Sequence, residues 1–177
     1  MEDNKGVTVI IPAYNCEKTI GQVLDAITGQ RYPNYEVIVI DDGSTDGTEG
    51  IVKKYPDVKY IRNDKNLGLA NTLNKGIKLS ENELIITLHA DCVPQTKDWI
   101  AHMVEMVTAD EMIGAVSSKY TLPKEIWEKL DFIPKVLFSS WIDQPLGFLN
   151  NKCDIYKKSA LSQVGFFGSR YFRVGGE

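Results

Sequence analysis

Two stretches of the chain place polar side chains directly after a buried-looking apolar run. The first is Glu36-Val37-Ile38-Val39-Ile40-Asp41-Asp42-Gly43-Ser44. Four consecutive β-branched residues suit a strand covered on both faces of a parallel sheet. Two carboxylates close that strand, and Gly43-Ser44-Thr45-Asp46-Gly47 turns the chain toward a helix. In open α/β sheets ligands bind beyond the carboxyl ends of the strands. Paired acids there read as the floor and rim of a polar-ligand site. The alternative is local: Asp41 and Asp42 satisfy turn amides and cap the next helix. The second stretch is Leu84 to Leu88, which again ends in polar residues, at His89-Ala90-Asp91.

The elements needed to hold these residues follow from the apolar periodicity. Val7 to Ile11 is a first strand, expected to stop at Pro12, which lacks a ladder N–H. Asn15 is placed to cap a helix whose Ile20, Val23, Leu24 and Ile27 form one apolar face. Asp46 and Glu49 form a capping pair for a second helix running to about Tyr55. Val58 to Ile61 is a short strand, and Asn66-Leu67-Gly68 opens a helix carrying Leu69, Leu73 and Ile77. Thr96 is expected to cap a helix over Asp98 to Thr108, with Trp99, Met103 and Met106 on one side. Ile113 to Ser117 and Asn151 to Tyr156 read as strands, and a short helix runs from Ser159 to near Gly165. Strands alternating with helices predict right-handed βαβ units and a mostly parallel sheet.

The 177 residues, 43% hydrophobic and 25% charged, fit one soluble globular domain with a sizeable core. A net charge of −4 without a Lys/Arg cluster argues against nucleic acid as a partner. Cys16, Cys92 and Cys153 are odd in number and scattered, which fits a reducing, cytoplasmic compartment. The N-terminus has no signal-peptide core. No apolar run approaches the roughly 20 residues of a transmembrane helix.

Taken in order, Val9-Ile10-Ile11-Pro12-Ala13-Tyr14-Asn15, Asp41-Asp42-Gly43-Ser44-Thr45-Asp46, Asn66-Leu67-Gly68 with Asn74-Lys75-Gly76, and His89-Ala90-Asp91 resemble the family 2 glycosyltransferases. The likeness runs from about Val7 to Glu177 and implies the GT-A fold, a Rossmann-like α/β/α three-layer arrangement. It further implies a nucleotide-diphosphate-sugar donor, a saccharide or lipid-linked acceptor and a divalent metal, Mn²⁺ or Mg²⁺. By the same resemblance Pro12, Ala13 and Tyr14 lie on the nucleobase and ribose side. Asp42 matches the acid that binds the base and Asp41 its more structural partner. Gly68 lets the backbone approach the ligand at a helix amino end that favours anions. Lys65 is placed to neutralise phosphate or simply to be solvated. Asp91, beside Ala90, matches the last acid of a DxD-type motif that holds metal and diphosphate. His89 replaces its first acid, so it is a candidate metal ligand, a hydrogen-bond donor to the sugar nucleotide, or a strand-end residue with a local partner.

The resemblance puts Glu177 in the glutamate position of the Glu-Asp pair that supplies the family's general base. The next family position would follow Glu177, so the expectation is a domain truncated at its C-terminal side. Asp154 and Lys157-Lys158 either line the acceptor or phosphate side or form solvated surface. The aromatic segment 120–150 is either an acceptor wall or a cover for the sheet edge. Such a domain would be cytoplasmic, with the inner membrane face as a peripheral location. The rival readings are a nucleotide-sugar-binding domain without turnover and a sugar-nucleotide nucleotidyltransferase. The latter needs a basic, Gly-rich phosphate loop after the first strand, where Pro12-Ala13-Tyr14-Asn15 stands. A dinucleotide-binding oxidoreductase is a poorer reading still, because no GxGxxG follows any strand.

Overall fold

A computed structural model describes residues 5–118 and 152–168. Expectations that fall on 119–151 and 169–177, including the aromatic segment and Glu177, lie outside the described residues. The strands are β1 Val7–Ala13, β2 Tyr35–Asp41, β3 Val58–Arg62, β4 Leu84–Leu88, β5 Ala115–Ser117 and β6 Cys153–Lys157. The helices are α1 Ile20–Thr28, α2 Thr48–Val52, α3 Leu69–Leu79, α4 Trp99–Thr108 and α5 Lys158–Val164. They build one sheet in the order β3-β2-β1-β4-β6-β5. The β1–β2, β1–β4 and β2–β3 pairs are parallel, and β6 runs antiparallel to both β4 and β5. The mostly parallel α/β architecture is therefore as expected.

Because successive strand residues face opposite sides, each central strand feeds two cores. Val37 and Val39 of β2, Val9 and Ile11 of β1, and Ile86 of β4 pack with Ile20, Val23, Leu24, Ile27 and Ile100. Ile38, Ile40, Ile10 and Ile85 pack on the other side with Leu73, Ile77, Tyr156 and Leu161. Thus α1, α2 and α4 cover one face, and α3 and α5 the other. Burial on both faces explains why these strands are runs of Ile and Val without alternation.

Several boundaries depart from the sequence expectation. β1 continues through Pro12, which pairs with Ile40, to Ala13, which pairs with Asp41. The Ala13 carbonyl accepts the Asp42 amide from the β2 side. Pro12 nitrogen therefore faces the β4 side, where the ladder has already ended at Ile10 and Thr87. The missing N–H costs nothing there. Met106 is exposed, and α4 instead buries Ile100, Met103 and Val107. Thr96 does not cap α4, whose N-cap residue is Asp98. At the other end of the chain α5 closes at Gly165, in the left-handed region at φ 85°, and its N–H returns to the Leu161 carbonyl.

Helix α3 meets the sheet with its backbone at Gly76. A Cβ built there would lie 2.5 Å from Ile10 Cγ2, whereas one built at Gly50 of α2 meets nothing within 4 Å. Gly76→Ala should therefore destabilise the protein by about 1–2 kcal/mol, overpacking outweighing the gain in helix propensity. Gly50→Ala should stabilise it by up to about 1 kcal/mol. Urea unfolding midpoints of the two variants check both signs; equal shifts would show that α3 has no such contact.

Candidate functional site

The adjacent acids at the end of β2 part company because of the two-residue period of a strand. Asp41 points to the α2 face and is fully buried. Its Oδ1 accepts the Ser44 amide at 2.7 Å. Its Oδ2 accepts the Tyr60 hydroxyl at 2.5 Å and Arg62 Nη1 at 3.1 Å. Arg62 Nη2 also donates to the Ser44 carbonyl at 2.6 Å, so strand end, turn and β3 are locked as one unit. Asp41 is thus a structural acid, satisfied within the chain.

Asp42 points to the α3 face. Its Oδ1 accepts Asn63 Nδ2 at 2.8 Å and the Leu67 amide at 2.9 Å, and its Oδ2 accepts the Gly68 amide at 2.9 Å. Three of the four lone-pair positions of a carboxylate are filled, leaving one on Oδ2. Asp42 therefore shapes the Leu67–Gly68 turn as well as offering one acceptor position beside it. Gly68 adopts φ 84° with open space where a Cβ would stand, and no side chain caps α3. The uncapped amino end of α3 leaves backbone N–H groups for an anion. Gly43, at φ 80°, lets the Lys65–Asn66 backbone pass, since a Cβ there would lie 3.0 Å from the Lys65 carbonyl carbon. Lys65 itself is exposed.

The β1–α1 loop is held against the β2–α2 loop. The Asn15 amide donates to Ser44 Oγ at 2.9 Å, and Asn15 Oδ1 accepts the Thr45 amide at 2.8 Å. Asn15 thus clasps a neighbouring loop from the left-handed region, φ 47°, and does not cap α1. Asp46 accepts the Glu17 amide at 3.0 Å and both the amide and hydroxyl of Thr48. Its expected partner Glu49 turns instead to Lys53 and Arg62. Ala13 is buried, and Tyr14, 52% exposed, stands free beside the clasp.

Across β1 from these residues, β4 ends in the His89–Asp91 turn, closed by the Cys92 amide on the His89 carbonyl at 3.0 Å. The chain reaches β2 and β3 on one side of β1 and returns to β4 on the other. This reversal of strand order marks the crevice where α/β proteins bind ligands. Asp91 is exposed there. His89 behaves differently: its Nε2 is buried and has no hydrogen-bond partner. Burial, more than the counteracting charge of Asp91, holds the imidazole below its ordinary pKa, so it is neutral at pH 7. Among the described residues no three His, Cys, Asp or Glu side chains converge as a metal cage. That donor set fits a hard cation held by one carboxylate together with the oxygens of a bound phosphate ligand.

Other expectations are corrected. Asp154 is fully buried, accepting Ser117 Oγ at 2.5 Å and the Tyr156 hydroxyl at 2.8 Å, so it is not solvated surface. Lys157 pairs in register with Leu84, at the amino end of β4 and away from the crevice. Its Nζ donates to the carbonyls of Asp110 and Glu111, and Lys158 Nζ donates to that of Ser80. Neither lysine lines a phosphate. Sequence reasoning did not select Asn63, which is 4% exposed, and took Lys75 only as part of the Asn74-Lys75-Gly76 stretch, with no role for its Nζ, which donates to Asn63 Oδ1 at 2.6 Å. Asn63 could have been found by the rule that selected Asp42, because it is the first residue beyond a parallel strand.

Burial and the hydrogen bond to Asp41 push the Tyr60 phenol up to about 12. An unfolded tyrosine titrates near 10, so the folded state keeps this proton longer. The resulting stability is fully present below pH ~10 and is lost as the pH rises toward about 12. Unfolding midpoints of the native chain should fall over that window more steeply than those of Tyr60→Phe. Parallel curves would show that the phenol is not coupled to Asp41.

Residues 8–165 match the family described as Glycosyl transferase family 2. A poly-beta-1,6-N-acetyl-D-glucosamine synthase of Staphylococcus epidermidis is 30% identical over 174 residues, 92% of this chain and 42% of that protein. Among solved structures, mannosyltransferase PcManGT from Pyrobaculum calidifontis, in complex with GDP-Man and Mn²⁺, superposes with a TM-score of 0.74. It is 28% identical, over 93% of this chain and 48% of that one. S. aureus TarS 1-349 in complex with UDP-GlcNAc shares the fold, with a TM-score of 0.68 at 21% identity over 92% of this chain and 48% of that one. The chain spans less than half the length of each of these three proteins. The α/β sheet is accordingly that of the GT-A glycosyltransferases, and with the family matching across most of its residues the chain belongs to glycosyl transferase family 2.

Proposed function

We propose that the chain carries the nucleotide-sugar site of an inverting glycosyltransferase. The observation that supports this best is the strand-order reversal at β1, flanked by Ala13–Tyr14, the Asp42–Gly68 turn and Asp91. In this reading Tyr14, with Pro12 and Ala13 behind it, provides a face for the nucleobase. The remaining acceptor position of Asp42 takes an N–H or hydroxyl of the nucleoside. The diphosphate lies toward the uncapped amino end of α3, with Lys65 close enough along the same loop to offset its charge.

Asp91 is the protein carboxylate for Mn²⁺ or Mg²⁺, and when bound the ion acts as a Lewis acid toward the departing diphosphate. Ala90 keeps the turn compact, and His89 contributes an uncharged imidazole where a second carboxylate would add negative charge. An acceptor hydroxyl attacks the anomeric carbon from the face opposite the nucleoside diphosphate. The new glycosidic bond forms as the old C–O bond breaks, and the hydroxyl proton passes to a general base. The resemblance assigns that base to Glu177. A saccharide polymer is the acceptor class suggested by the synthase relative, with a lipid-linked saccharide implied by the resemblance alone, and the free thiols of Cys16, Cys92 and Cys153 support a reducing, cytoplasmic setting.

A second reading is a nucleotide-sugar-binding domain without turnover, which the enclosed Nε2 of His89 favours. One set of measurements separates the two. Calorimetric titration with UDP and GDP should show binding strengthened by Mn²⁺, and Asp91→Ala should remove at least ~10-fold of that gain, about 1.4 kcal/mol. Equal affinity with and without metal, or in the variant, overturns the role of Asp91. Slow release of free sugar from UDP-GlcNAc or GDP-Man then identifies an enzyme, and binding without release the non-catalytic domain.

A further inference from the structure

Lys75 lies on the side of α3 that meets the end of β3, and it belongs to none of the ligand contacts proposed above. Its Nζ donates to Asn63 Oδ1 at 2.6 Å, and Asn63 Nδ2 donates to Asp42 Oδ1 at 2.8 Å. The Asn63 backbone is fixed independently, its amide donating to the Asp41 carbonyl at 2.7 Å. A carboxamide has one accepting and one donating end. An ammonium can only donate and a carboxylate can only accept, so only one orientation of Asn63 satisfies both neighbours. Carboxylate and ammonium thus enforce that orientation together, the lysine anchoring the carbonyl end.

Without that ammonium the Asn63 carbonyl oxygen, in a residue only 4% exposed, loses its partner. A side chain that tilts to bring that oxygen to solvent draws its Nδ2 away from Asp42 Oδ1. Asp42 would then rotate and release the Leu67 and Gly68 amides, the two backbone groups it holds at the rim of the crevice. We propose that Lys75 is a positioning residue for nucleotide recognition, acting through Asn63 to orient Asp42 and the Leu67–Gly68 turn. The proposal rests on the nucleotide-sugar reading of the site and adds to it a determinant that touches no ligand. Charge-assisted hydrogen bonds between groups this enclosed are the stronger kind.

Lys75→Met keeps most of the side-chain length and removes the charge, whereas Lys75→Arg restores donors. Amide hydrogen exchange at Leu67 and Gly68 should speed up about tenfold in Lys75→Met, the scale of one charge-assisted hydrogen bond. It should stay close to native in Lys75→Arg. Exchange in β1 and β4 should be unchanged in both, which shows the fold intact. UDP or GDP affinity, whichever the native chain binds, should fall by a similar factor in Lys75→Met and return in Lys75→Arg. Native protection of both amides in Lys75→Met overturns the relay. Faster exchange with undiminished nucleotide affinity overturns its link to recognition. If the native chain binds neither nucleotide, the donor-site reading and the recognition half of the proposal fall together, while the exchange comparison still decides the relay.

Discussion

Everything at the carboxyl edge of this sheet depends on one constraint: neighbouring residues of a strand must face opposite sides. Asp41 and Asp42 are chemically identical and covalently adjacent, yet the period of two sends one to each face. Asp41 meets an arginine, a phenol and a turn amide, and disappears into the scaffold. Asp42 meets an amide side chain and the two backbone N–H groups that precede α3. The first makes the rim rigid and the second gives it shape. A pair of acids that looked like a single unit divides between two faces, one bracing the strand end and the other holding the Leu67–Gly68 turn.

The helix that follows gathers the remaining parts. Three consecutive residues of α3 reach three different elements. Asn74 exchanges two hydrogen bonds with the Phe167 backbone, at 2.9 and 3.1 Å, and the Phe167 ring stands edge-on to Tyr156. Lys75 reaches the end of β3, and Gly76 rests against Ile10 of β1. These directions follow from the 100° step between neighbouring helical residues, given a helix lying on the sheet with one edge toward each loop. The stretch Asn74-Lys75-Gly76 is therefore a junction, and glycine is needed at its third position because the backbone itself makes the contact.

The sheet and most helices could be read from the sequence because their signals are local. Val37–Ile40 and Leu84–Leu88 are apolar runs of strand length, and Ile20, Val23, Leu24 and Ile27 recur at helical spacing. What could not be read depends on which element lies alongside. Whether Pro12 ends β1 depends on the side its nitrogen faces, which only the register with β2 and β4 reveals. Asn15 has the right chemistry for a helix cap and is used on a loop 30 residues away. Asp154 is a charged residue on a short strand, and its burial makes sense only once β6 is seen to bring it to Ser117 and Tyr156. Asn63 stands in no motif and Lys75 only as the middle residue of Asn74-Lys75-Gly76; their meaning lies in the alternation of hydrogen-bond donor and acceptor across space.

The position of β6 also bears on how the chain assembles. β5 precedes β6 in sequence and, among the described strands, pairs with β6 alone, while β6 is inserted between β5 and β4. Emerging from the ribosome, β1, β2 and β3 find all their described ladder partners among themselves and β4, and can close by short crossovers. The outer edge of β4 and the described partner of β5 both wait for β6, more than thirty residues beyond β5. Contacts of such long sequence separation close late and slowly. The half of the crevice that carries Tyr14, Asp42 and Gly68 is thus topologically self-sufficient early. The far edge, with the Asn74–Phe167 clasp spanning 93 residues, is sealed only after Phe167 has emerged.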